Sequence, residues 1–354
     1  MKALILSGGK GTRLRPITHT SAKQLVPVAN KPILFYGIEA IREAGITDVG
    51  IVVGDTEAEI RDAVRDGSAF GVRTTYIRQD APLGLAHAVK VSRGFLGDDS
   101  FVMFLGDNLI LDGIRPLVEE FTRDRPNSQI LLARVPHPEE FGVAELDGDR
   151  VVRLVEKPKQ PRSDLALVGV YMFDRTIFEA VDAIRPSLRN ELEITDAIQH
   201  LIDHGRVVRH HIITGWWKDT GKLEDMLEAN RMVLSRAKRS IQGTLEAETR
   251  AEGEVIVGEG TLVRNSILRG PLTIGARCAI ENSYVGPFTS IYDDVRIRNS
   301  EIENSIVLER CTIEDVPVRI EASLIGKEVR IQRSKLKPTA YRFMVGDSSL
   351  VDVL

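Results

Sequence analysis

LSGGKGTRLRPITHTSAKQLVPV, residues 6–28, sets a glycine cluster, Arg13 and Lys23 directly behind the short apolar run Ala3–Leu6. A strand that feeds a glycine-rich loop is the opening of an α/β fold, and the loop's backbone N–H groups are free to approach an oxyanion. Two familiar phosphate loops fail here. A P-loop needs Gly, four residues and then Gly-Lys-Ser/Thr. The dinucleotide fingerprint needs a third small residue where Leu14 stands after Gly9 and Gly11. A glycine-rich strand exit is by itself often a plain turn. Arg13, whose guanidinium can fork onto phosphate oxygens, and Lys23 ten residues on favour an anion site.

Working outward, apolar runs at 3–6, 48–54, 72–77 and 100–107 read as buried strands, and further strands are expected at 129–135, 143–147, 150–155 and 166–173. Between them lie helical patterns, one opened by Pro32 and carrying Ile33, Tyr36 and Ile41, others near 112–124, 174–184 and 195–204. This alternation up to about 215 predicts a mainly parallel sheet with helices on both faces. Residues 221–240 form a charged helical pattern, and the polar stretch QGTLEAETRAEGE marks a boundary, giving domains 1–240 and 241–354.

Beyond it Ile256, Leu262, Leu268, Ile274 and Ile280 recur every six residues, and after a one-residue slip Val285, Ile291 and Ile297 keep the step. An ordinary β-rich domain with chance spacing is the plain alternative. The step, with Gly beside the aliphatic in VIVGEG and LTIGAR, resembles the hexapeptide repeat of left-handed parallel β-helices, three repeats to a turn. After about residue 300 the register becomes irregular.

Composition narrows the partners. With 354 residues, 43% apolar and 28% charged, the chain has room for about two domains, and a net charge of −4 supplies no general affinity for nucleic acid or anionic membrane. The two cysteines, Cys278 and Cys311, form no CxxC pair or zinc-spaced cluster, so they read as buried thiols of a cytoplasmic protein. No run approaches a signal peptide or a membrane span.

The quoted segment resembles the signature of the sugar-1-phosphate nucleotidylyltransferases, a strand followed by G-G-x-G-T-R-L, Pro and a lysine. Here these are Gly8, Gly9, Gly11, Thr12, Arg13, Leu14, Pro16 and Lys23, and SAKQLVPV, with Gln24, is especially similar to the glucose-1-phosphate thymidylyltransferases. Further blocks follow in the family's order: RQDAPLGLAHA with Gln79 and Gly84, FLGDN with Asp107, and EEFGVAEL with Gly142. VEKP then supplies Glu156 and Lys157, LVGVYMFD supplies Leu167, Gly169 and Tyr171, and NELEITD and WWKDTG, with Asp219, complete the set. The resemblance covers nearly all of 1–235. Each block alone has a plain reading: Asp107 as turn material, Glu156 and Lys157 as a solvated pair, Tyr171 as core.

The resemblance implies a Rossmann-like mixed sheet joined to a left-handed β-helix, the long form of the family. It implies transfer of a nucleotidyl group from dTTP to glucose 1-phosphate, giving dTDP-glucose and pyrophosphate for deoxysugar supply. Arg13 and Lys23 would contact the triphosphate, Lys157 the sugar phosphate, and Asp107 and Asp219 would bind Mg²⁺. Gly8, Gly9, Gly11, Thr12 and Gln24 would hold the nucleotide, Gln79 and Gly84 the pyrimidine, and Gly142, Glu156, Leu167 and Tyr171 the sugar. Ser7 replaces the family's common Ala and Leu83 a frequent Asp, and the regulatory nucleotide site of the short form is not expected.

Two rivals remain at this stage: a noncatalytic sugar-nucleotide sensor of the same architecture, and an enzyme preferring UTP. An acyltransferase site in the β-helix would lack a histidine base, since all seven histidines precede residue 212. The solenoid is therefore read as structural or as the surface of a homo-oligomer.

Overall fold

The computed structural model describes residues 1–9, 11–19, 21–335, 337 and 340–353; Lys10 of the glycine-rich loop lies outside the described residues. The chain forms two compact units. One consists of Met1–Lys10, Ala22–Leu25 and Ile33–Asp219; the other consists of Gly11–Ser21, Val26–Pro32 and Thr220–Leu354.

The first unit is built on a nine-stranded sheet. Strands β1 (Lys2–Leu6), β2 (Asp48–Val53), β3 (Arg73–Arg78) and β4 (Phe101–Leu105) run parallel in the order β3-β2-β1-β4. In β1 the residues Ala3 and Ile5 join one core while Leu4 and Leu6 join another, so a continuous apolar run is explained by burial on both faces. Helices α1 (Ile33–Glu43), α2 (Glu57–Val64) and α4 (Arg115–Asp124) pack on the Ile5 face. Helices α3 (Leu85–Val91), α5 (Ile177–Ala183) and α6 (Ile194–Asp203) pack on the Leu4 face.

The remainder of the sheet departs from the mainly parallel expectation. Strand β5 (Asn108–Ile110) lies off the main sheet, followed by β6 (Ser128–Arg134), β7 (Gly142–Asp147), β8 (Arg150–Glu156) and β9 (Leu165–Phe173). β9 is antiparallel to β4, β6 and β7, and β7–β8 is an antiparallel hairpin. Two further strands are β10 (Val208–Ile212), parallel to β6, and β11 (Trp217–Asp219), antiparallel to β5. The β9–β6 register shifts between Leu167 and Tyr171, a bulge that the site uses.

The second unit carries helix α7 (Leu223–Leu234), and three stacks of parallel strands that make the left-handed β-helix. Through the central coils a residue pairs with the one seventeen positions on, Leu262 with Ala279 and Ala279 with Arg296, so a full coil there holds two six-residue steps and one of five. The one-residue slip expected between Ile280 and Val285 therefore occurs a coil earlier as well, between Val263 and Leu268. The buried side chains are Val257 and Val263, with Ile256 and Leu262 only half-buried, and the expected inward residues from Leu268 to Ile297 are all buried. The helix also continues past 300: Ser290 pairs with Ile306 and Ile306 with Leu324, so one coil is a residue shorter and the next a residue longer. That compensation hides the repeat in sequence and leaves Val318 exposed. Corner residues Asn265, Asn282 and Asn299 adopt positive φ and their amides link coil to coil, ending on Asp315. Beside them Ser266, Ser283 and Ser300 each accept the N–H of the next coil and donate to the carbonyl two residues back. The hydroxyls of these three buried serines are thereby satisfied.

Within the same unit, buried Asn230 of α7 fastens the hairpin of 27–28 with 31–32. Its Oδ1 accepts from the Ala29 N–H at 2.8 Å and from Ser290 Oγ at 2.6 Å, and its Nδ2 donates to the Phe288 carbonyl at 2.8 Å. Asn230→Ala leaves three partners unpaired and is expected to lower the unfolding free energy by about 3 kcal/mol. Urea titration of the variant checks this, and an unchanged midpoint would refute it.

Candidate active site

The centre of the site in the first unit is Lys23, in the single turn Lys23–Leu25 and only 6 % exposed. Its Nζ lies 2.5 Å from Asp107 Oδ2 and 3.6 Å from Asp219 Oδ1. The two acids, 112 positions apart in the chain, meet because β11 pairs with β5 so that Asp219 opposes Asn108, the neighbour of Asp107. Burial alone would raise the Asp107 carboxyl, but the Lys23 charge, its hydrogen bond and that of Asn108 outweigh it, and the net shift is downward from 3.8.

Asn108 holds this corner together. It is 2 % exposed; its Nδ2 donates to Asp107 Oδ1 at 3.1 Å, and its Oδ1 accepts from Trp217 Nε1 at 2.6 Å and from the Gly169 N–H at 3.2 Å. A Cβ on Gly169 would lie 2.6 Å from the Asn108 carboxamide, so this position on the β9 bulge requires glycine for steric room.

A second cluster forms beside the exit of β1. Gln79, just after β3, donates from Nε2 to the Gly84 carbonyl at 3.1 Å and lies 3.0 Å from His87 Nδ1. Its Oε1 is 3.6 Å from where a Cβ on Gly8 would stand. Gly84 has φ +101°, and a Cβ there would come within 2.4 Å of the Leu192 carbonyl oxygen. That carbonyl accepts from the Ala86 N–H, and the Leu192 N–H donates to the Leu83 carbonyl. Gln24, beside Gly9, is buried, and its Oε1 has no hydrogen-bond partner among the described residues.

The third cluster lies where β7, β8, β9 and α6 meet. A Cβ on Gly142 would meet Leu167 Cδ1 and Thr195 Cγ2 at 2.7 Å and Glu156 Oε2 at 3.2 Å. Glu156 accepts from Thr195 Oγ1 at 3.3 Å and pairs with Arg189 at 3.2 Å. Burial and then the nearby Glu193 push its carboxyl above the usual 4.5, against Lys157, Arg189 and Thr195. Tyr171 is buried in the core on β9, and its hydroxyl is pushed up by burial and then by Glu156. Lys157, exposed with φ +41°, follows directly and donates its N–H to the Phe141 carbonyl.

Gly11, Thr12 and Arg13 belong to the second unit and are placed by its contacts. Gly11, with φ +61°, precedes the turn Thr12–Leu14, its carbonyl accepts from Thr18 Oγ1 at 2.6 Å, and the Arg13 guanidinium packs against Gly221. Asn108, His87, Arg189 and Thr195 were not singled out from sequence. All four sit inside or beside blocks that were, so their place in those blocks was the available signal.

Among the described residues no group of three or more His, Cys, Asp or Glu could hold a metal by itself. The donor chemistry of Asp107 and Asp219 nevertheless fits Mg²⁺, a hard cation that takes one or two carboxylates and completes its shell from phosphate and water. Together with Lys23 the two acids carry one net negative charge, which a divalent cation suits.

Residues 2–236 match the profile of the nucleotidyl transferase family. Over its full length the chain is similar to two enzymes named glucose-1-phosphate thymidylyltransferase. That of Streptomyces antibioticus is 58% identical and that of Streptomyces griseus 57%, each aligned over 100% of this chain and 99% of its own. A Bacillus anthracis protein assigned the same activity and crystallised with sucrose superposes with a TM-score of 0.62 at 38% identity, over 66% of this chain and 94% of that one. The chain therefore belongs to the nucleotidyl transferase family.

Proposed function

We propose that the chain condenses dTTP with α-D-glucose 1-phosphate to give dTDP-glucose and pyrophosphate, as the names of its full-length relatives indicate. The observation that carries this reading is the convergence of Lys23, Asp107 and Asp219 at one point of the first unit. A cation shared by two carboxylates beside glycine-lined pockets is suited to bringing two polyanions together.

A sugar-phosphate oxygen attacks the α-phosphorus in line, and the bond to the β-phosphate oxygen breaks as pyrophosphate leaves. The nucleophile needs no general base, because a phosphate monoester is already largely dianionic at neutral pH, its second pKa being about 6. Lys23 supplies positive charge to the reacting phosphate, where pre-set charge counts most. Gln79 presents Oε1 to the N3–H of the pyrimidine, the Gly84 backbone lies beside the base, and Gln24 and Gly9 line the nucleoside. Glu156 accepts from sugar hydroxyls beside Gly142, Leu167 and Tyr171, and Lys157 anchors the sugar phosphate. Mg²⁺ would be held by Asp107 and Asp219, offsetting phosphate charge.

The family match, ending at 236, supports a catalytic domain of 1–240 and a β-helix domain of 241–354. Self-association of the chain through the flat walls of the solenoid is part of this proposal. So is a cytosolic setting, favoured by two free buried thiols that burial pushes up to about 11; among the described residues no helix is long and apolar enough to cross a membrane.

Pyrophosphate release tests the reaction directly. It should be fastest with dTTP and glucose 1-phosphate and fall to background on chelation by EDTA; preference for ATP or GTP, or silence across all nucleotides and sugar phosphates, would overturn the assignment, and preference for UTP would correct the nucleotide. Asp219→Asn should lower kcat by about 10²-fold or more with the fold retained by circular dichroism, and wild-type turnover would remove Asp219 from the site. The raised Glu156 carboxyl takes up its proton at higher pH than an ordinary glutamate. Between about pH 7 and about pH 5 the kcat/KM for glucose 1-phosphate should therefore fall faster in the wild type than in Glu156→Gln, since protonation of the substrate phosphate is common to both. Parallel profiles would exclude Glu156 as the titrating acceptor.

A further inference from the structure

The Gln79 amide could in principle face a base with either end, as acceptor through Oε1 or as donor through Nε2. The protein removes that choice. The Gly84 carbonyl can only accept, so the amide end 3.1 Å from it must be the nitrogen. The same nitrogen lies 3.0 Å from His87 Nδ1, so Nδ1 must accept, and the imidazole proton sits on Nε2. Burial and then the nearby Lys90 lower the His87 pKa from 6.5, which keeps the ring neutral and able to accept at neutral pH. The α3 helix that carries His87 begins directly after Gly84, so one short segment supplies both acceptors. With both Nε2 protons engaged, Oε1 is the end left toward Gly8.

We propose that His87 is a positioning residue which, with the Gly84 carbonyl, fixes the Gln79 amide as a hydrogen-bond acceptor and so selects pyrimidines that carry a proton on N3. Thymine and uracil satisfy this acceptor. Cytosine, whose N3 is itself an acceptor, sets two lone pairs against each other. The inference rests on the functional reading above, in which Gln79 meets the base.

The test is the ratio of kcat/KM for dTTP over dCTP, with glucose 1-phosphate as the second substrate, in three variants. His87→Leu removes the acceptor, and His87→Lys replaces it with a donor that favours the flipped amide. His87→Gln can still accept through its own Oε1. The ratio should fall about tenfold in the Leu variant, the loss lying in KM for dTTP rather than in kcat, and at least as far in the Lys variant. The Gln variant should restore it. An unchanged ratio in either the Leu or the Lys variant, whichever folds, overturns the proposal, as does a Gln variant that loses the ratio as fully as Leu. Wild-type protein that releases pyrophosphate with neither pyrimidine nucleotide overturns the functional reading itself, a result distinct from an active enzyme whose ratio ignores His87.

Discussion

The site depends on one electrostatic constraint: two carboxylates in a partly closed crevice repel unless a cation sits between them. Lys23 fills that role, at 2.5 Å from Asp107 and 3.6 Å from Asp219. The lysine comes from the loop after β1, one acid from the end of β4 and the other from the end of β11, so the charge balance is satisfied only when the whole first unit is assembled. The chain course around the lysine is unusual for the same reason. Ala22–Leu25 belongs to the first unit, while the stretches on either side of it in sequence, Gly11–Ser21 and Val26–Pro32, belong to the second.

Asn108 turns this electrostatic corner into a rigid one. Its carboxamide bonds to Asp107, to the Trp217 indole and to the backbone of Gly169, three elements that no single strand pairing would fix in common. The bulge in β9 is what makes the last of these available. By breaking register between Leu167 and Tyr171 it presents the Gly169 N–H to Asn108, while Leu167 stays packed beside Gly142. An irregularity in a buried central strand is costly unless its freed groups find partners. Here the partner is part of the site.

Much of this was legible in the sequence and some was not, for identifiable reasons. The buried strands at 3–6, 48–53 and 101–105 were plain because burial on both faces leaves uninterrupted apolar runs. Strand β10 was not read, because Arg209, His210 and His211 interrupt its apolar pattern at the sheet's edge. The six-residue repeat revealed the solenoid but misplaced its first two inward residues, since one step in three has five residues and the grid drifts by one each coil. Gly8, Gln79, Gly84, Gly142, Glu156 and Asp219 could be named from motif blocks alone. Their supports could not: Asn108 and His87 act through the polarity of an amide or a ring, and Thr195 through its contact with Glu156. Such roles exist only once partners distant in sequence are in place.

The loop before α6 joins the Gly84 segment to Glu156. Leu192 exchanges backbone hydrogen bonds with Leu83 and Ala86 on either side of Gly84, while Arg189, three residues before it, pairs with both Glu156 and Glu193. Gly84 admits no side chain because this loop passes so close. The Gly84 segment and the Glu156 carboxylate, proposed to face the base and the sugar, are therefore held at a spacing set by a few backbone hydrogen bonds and an ion pair. In-line transfer between two anions depends on their relative alignment more than on any covalent help from the protein. For the proposed reaction, a cross-brace that fixes both segments through the protein's own bonds supplies that alignment in advance, so less orientational freedom is left to be lost at the moment of attack.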